Sequence, residues 1–243
     1  MGTSDFEMET TPRVGVSEIV SISIWNLGWI VLGAAWLGPL PAWAMTSFAA
    51  HMTLHMAVVA IAAPLMAIGI SGRRYDPARS WPIVFSPVTA SVGELLVVWA
   101  WHSPRLHHWA RFELLGFVCE QAMFLAAGLW VWLSAFGGTY PRSVERSGAG
   151  VIGLLLTSIH MTLLGALLAL SPRVLFAHHR NVRGIDPLLD QNLGGAIMLV
   201  IGGIAFLAGG LWLVRDLILV RSIATPHTSQ SFLQNKPLHQ SKA

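Results

Sequence analysis

Apolar residues run in long unbroken stretches along this chain, separated by short segments that hold nearly all of its charge. Six stretches match, or nearly match, the roughly 20 helical residues needed to cross a hydrocarbon core. They lie at Ile19–Leu37, Thr46–Ile70, Val84–Trp101, Phe112–Ala135, Val151–Leu170 and Leu193–Val214. Trp81-Pro82 and Ser86-Pro87 interrupt the start of the third, which predicts an interfacial turn leading into a short helix. The pattern predicts an all-α, polytopic transmembrane bundle of about six spans over residues 18–221. A polar N-terminal segment, 1–17, precedes it, and a polar, disordered tail, 222–243, follows.

Composition agrees: 54% of the residues are apolar and only 11% charged. Acidic residues rather than a basic n-region precede the first span, so it reads as a retained span and not a signal peptide. Lys and Arg then set the orientation. With both termini inside, the inner segments carry Arg13, Arg73, Arg74, Arg79, Arg142, Arg146, Arg215, Arg221, Lys236 and Lys242. The outer segments carry Arg105, Arg111, Arg173, Arg180 and Arg183. That bias predicts N-in and C-in, and it assigns the net charge of +3 to contact with anionic lipid headgroups rather than nucleic acid. A single cysteine, Cys119, excludes an intrachain disulfide and a CxxC site.

Candidate chemistry begins in the second span with His51-Met52-Thr53-Leu54-His55-Met56, and His-Met-Thr-Leu returns at His160-Met161-Thr162-Leu163 in the fifth. Ionisable residues inside a membrane span are rare and mark functional sites by default. At i and i+4, His51 and His55 share one helix face, with Met52 and Met56 beside them. Imidazole suits copper among several metals, and thioether selects the monovalent ion. The expected Cu(I) ligands are therefore His51, His55, His160, Met52, Met56 and Met161. At about 1.5 Å of rise per residue, His51 lies on the order of 8 Å below the outer face, and His55 and His160 roughly 15 Å below it. Glu94, Cys119, Glu120 and Met198 fall at comparable depth. Glu94 and Glu120, costly to bury, each call for a partner: a histidine, an ion or a proton. His102, Glu120 and Cys119 are expected as a gate or supporting groups, although packing alone also accounts for Cys119. His107, His108, His178 and His179 fall in outer loops, either at the mouth of the site or simply solvated. His227 and His239 belong to the tail. Asp186-Pro187 and Asp190-Gln191 suggest a turn and a cap, with Asp190 at the N-terminus of the sixth span.

Several of these residues form a recognisable set: His51 to Met56, Ala63-Pro64-Leu65 with Gly69, Trp101-His102-Ser103-Pro104, and Asp190-Gln191 with Gly195 and Met198. In them the chain resembles the CtaG family of integral-membrane cytochrome c oxidase assembly factors, from about the second span to the end of the sixth. The resemblance implies a protein of the bacterial cytoplasmic membrane that matures a haem-copper oxidase and handles copper. Its partners would be an oxidase subunit and a periplasmic copper donor. Copper movement across the membrane is a related role. The chain departs from the family pattern in showing six spans rather than seven, and in having Gln121, not histidine, after Glu120. No nucleophile constellation or phosphate-binding loop points to an enzyme. Two other readings use the same residues: a b-type haem protein with His55 and a second histidine as axial ligands, and a non-catalytic scaffold whose polar residues only join helices.

Overall fold

The computed structural model describes residues 16–139, 143–176 and 184–224. The N-terminal segment before them, His178, His179 and the tail from 225 lie outside the described residues. Among the described residues every regular element is helical: α1 (Val16–Leu37), α2 (Leu40–Ala44), α3 (Phe48–Met56), a π-helical segment (Ala57–Ala62), α4 (Ala63–Ile70), α5 (Pro77–Ser80), α6 (Pro87–Trp101), α7 (Pro104–Phe112), α8 (Leu114–Phe136), α9 (Val144–Ala169) and α10 (Pro187–Ala224). α3, the π segment and α4 form one continuous rod. Five of the six expected stretches are helices long and apolar enough to cross a membrane, and α6 is a shorter sixth. α6 begins at Pro87 after a turn over Trp81–Phe85, as the two X-Pro steps require.

The second span is the axis of the bundle. Two-thirds (67%) of its most apolar window is buried, against 17% for α1. α1 packs on α4 and the π segment, α8 on α4 and the π segment, α10 on α3, and α9 on α6 and α10. Lipid-facing side chains such as Ile30, Leu96, Leu115 and Ile204 stay exposed outside this core.

The π segment has a local cause. Ala63 N–H bonds to Val58 O, five residues back, instead of four. In that wider register the next donor, for Val59 O, would be the missing N–H of Pro64. The indole N–H of Trp132 in α8 supplies the bond instead, at 3.0 Å.

α9 and α10 start before the apolar runs expected for them. Ser143 caps α9, its hydroxyl accepting Arg146 N–H, and α10 begins at Pro187 with Asp186 Oδ2 accepting Leu189 N–H. Asp190, expected at the start of the sixth span, therefore sits within the first turn of α10, and its carboxylate serves another helix. Oδ2 accepts Phe48 N–H at 2.6 Å, and Oδ1 accepts Ala49 N–H at 3.2 Å and the Ser47 hydroxyl at 2.7 Å. The N-terminus of α3, one turn above His51, is thus clamped to α10. At the opposite end of the bundle, buried Asp76 accepts N–H groups from Gly72, Ala78 and Gly138, tying the turn after α4 to the end of α8.

Candidate metal centre

His51 and His55 project from α3 toward α7 and α8, and both are buried. Their Nε2 atoms face each other 2.8 Å apart. At that separation one nitrogen donates and the other accepts, so the pair shares a single hydrogen. Glu120 of α8 aims Oε1 at both rings, 3.7 Å from His51 Nε2 and 3.8 Å from His55 Nε2. This oxygen makes no hydrogen bond although it is sealed from solvent. Its twin, Oε2, accepts from Arg111 Nη2 at 3.0 Å.

α7 completes the cluster, and here the structure departs from the outer loop expected at this position. Ser103 and Pro104 occupy the N-cap and first turn of a nine-residue helix. Proline preset to helical φ suits that position. His107 and Arg111, four residues apart, fall on its inner face and are both buried, whereas His108 is exposed. The His107 ring lies 5.1 Å from that of His51 and 4.4 Å from Phe176. Arg111 also donates from Nη1 to Ala44 O at the end of α2. One ligand atom each from His51, His107 and Glu120 falls within a 4.8 Å sphere of separation. Phe48 and Phe124 close the sides, with Phe124 4.1 Å from the His55 ring.

His102, at the end of α6, stands 6.1 Å from His55 ring to ring. Its Nδ1 is 2.7 Å from Val98 O. Enclosure lowers its pKa to about 4, so the ring is neutral at physiological pH. Gln121 is a prop: its Oε1 accepts the Trp36 indole N–H at 3.1 Å, and its Nε2 donates to Glu120 Oε2 at 3.4 Å.

The remaining candidates lie on other contacts. His160 Nε2 is 2.8 Å from Glu94 Oε2, across the α6–α9 interface, where Thr157 also donates to Ser91. Met52, Met56 and Met161 are buried in the apolar core. Met52 and Met56 approach Gly194 and Gly202 of α10. Cys119 is a free, half-buried cysteine at the core margin. His107 and Arg111 are the residues that sequence reasoning underused. Their signal was the Ser-Pro helix start followed by two polar groups at i, i+4.

Residues 12–218 match the family of cytochrome c oxidase caa3 assembly factors, Caa3_CtaG. The chain belongs to this family. No significant match is found among curated proteins or solved structures. The matched range encloses α7 and every member of the His–Glu cluster, so the cluster belongs to the assembly-factor portion of the chain. The Caa3_CtaG membership carries a role in maturing cytochrome c oxidase.

Proposed function

We propose that this assembly factor holds a copper ion for the oxidase at His51, His55, His107 and Glu120. The observation that carries the reading is the convergence of two facing imidazole nitrogens on a buried carboxylate oxygen with no hydrogen-bond partner. Such an oxygen is costly to bury unless a cation completes it. Imidazole is a good copper ligand in either oxidation state. Ligation by both Nε2 atoms requires the ring that carries the shared hydrogen to hold it on Nδ1 instead, so that both rings stay neutral with their Nε2 lone pairs toward the ion. Phe48, Phe124 and Phe176 keep water from the ion.

Copper is the cargo in this reading. A periplasmic donor supplies Cu(I), and an oxidase subunit docked in the same bilayer removes it by ligand exchange. The cluster lies buried toward the outer face of the bacterial cytoplasmic membrane, with both termini inside, following the positive-inside bias. His102 stands beside His55 as a second neutral imidazole through which the ion passes on its way in or out. Met52 and Met56 stiffen the ligand helix against α10.

The test is metal content by mass spectrometry, with a visible spectrum, on detergent-purified chain reconstituted with Cu(I). Expected is about one copper per wild-type chain, lost in His51→Ala/His55→Ala and reduced at least tenfold in His107→Ala. His108→Ala, outside the cluster, should keep it. A Soret band would replace copper by a b-type haem. A wild type that binds neither would leave the polar groups as helix-joining contacts of a scaffold.

A further inference from the structure

We propose that Arg111 is a specificity-determining residue that makes this centre select a monovalent cation; the inference rests on the copper reading above. The donors alone do not discriminate. Imidazole with carboxylate is a set that zinc and other divalent ions accept readily. What distinguishes this centre is a permanent positive charge built into its wall. Arg111 is 3% exposed, bonded to Glu120 Oε2 at 3.0 Å and to Ala44 O at 2.9 Å. It cannot lose its proton.

The consequence follows from charge counting. With neutral imidazoles, Arg111 and Glu120 bring the empty cluster to zero. A monovalent ion raises it to +1 and a divalent ion to +2. The self-energy of a buried charge grows as its square, so the divalent complex carries about four times the penalty of the monovalent one. Without the arginine the totals become 0 and +1, and the gap between the two ions shrinks from three parts to one. A purely structural strut would not behave this way. It would stabilise α7 against α2 and α8 and leave the ratio of metals unchanged.

The experiment loads the full-length chain in detergent, without oxygen, with equimolar Cu(I) and Zn(II), and counts both metals. The variants are Arg111→Gln and Arg111→Met, which remove the charge, and Arg111→Lys, which keeps it. Two unit charges a few ångströms apart at an effective dielectric near 20 predict that the neutral variants lose ~tenfold or more of the Cu(I):Zn(II) ratio. Arg111→Lys should hold the wild-type ratio. An unchanged ratio in a folded neutral variant overturns the proposal and leaves the copper reading standing. If neither neutral variant folds, the wild type decides: retention of Zn(II) equal to or above Cu(I) overturns the proposal, and Cu(I) preference upholds it. A wild type that takes up no copper fails at the earlier step and removes the basis of both.

Discussion

Asp190 and Phe48, 142 residues apart, are joined by a 2.6 Å hydrogen bond from the Phe48 N–H to the Asp190 carboxylate. A carboxylate at a helix N-terminus takes up donors that would otherwise be orphaned and meets the positive end of the helix dipole. Because His51 lies in the first turn of α3, this cap also fixes the height of the metal-binding pair. Asp190→Ala should cost about 2–3 kcal/mol, as expected for charge-assisted bonds to buried N–H groups. The measurement is thermal unfolding in detergent. An unaltered midpoint would show that Ser47 alone suffices as a cap.

Glu94 and His160 form a second buried pair, distinct in its contacts from the His51–His55–Glu120 cluster. Removing one partner strands the other in an apolar interface, while removing both strands nothing. Glu94→Leu and His160→Leu should each lower stability by about 3 kcal/mol, and the double variant by clearly less than the sum. All three should retain wild-type copper stoichiometry. A His160→Leu protein that is stable yet free of copper would bring that histidine into the ligand set.

Gly165 and Gly195 let α9 and α10 touch backbone to backbone. A Cβ on Gly195 would stand 2.3 Å from Ala169 N and 2.7 Å from Gly165 O, whereas one on Gly203 meets nothing within 4 Å. Gly195→Ala must therefore push the helices apart and should destabilise by about 1–3 kcal/mol. Gly203→Ala should be neutral or stabilising by roughly 0.5–1 kcal/mol through helix propensity. Comparing the two midpoints checks both, and equal behaviour would mean that the close approach contributes nothing.

The bundle was legible in the sequence because lipid demands long apolar helices, and hydropathy reports length and apolarity directly. The His51–His55 pair was legible for the same local reason: i, i+4 spacing puts two side chains on one face. What local pattern cannot carry is the identity of the facing helix. The repeated His-Met-Thr-Leu string suggested one site, yet α9 turns His160 toward Glu94 of α6. Asp190 looked like a cap for its own helix and instead serves one that precedes it by some 140 residues. α7 was read as a loop because a nine-residue helix holding charged residues has no hydropathy signal. Its inward face is set by long-range contacts: Arg111 finds Glu120 and the Ala44 carbonyl, and His107 packs against His51 and Phe176.

The π segment between Ala57 and Ala62 acts as a phase adjuster within the second span. A turn closed by i→i+5 bonds takes up one residue more than an α-helical turn, so each flanking helix keeps the face its own neighbours require although the sequence between them carries a surplus residue. α3 and α4 therefore answer to different neighbours: the upper half is indexed to α7 and α10, the lower half to α1 and α8. Deleting one residue from this stretch would restore an ordinary helix and spare its hydrophobicity. Because the wide turn absorbs the surplus residue, that deletion would leave His51 and His55 facing Glu120 and would cost the span its local widening rather than its ligands.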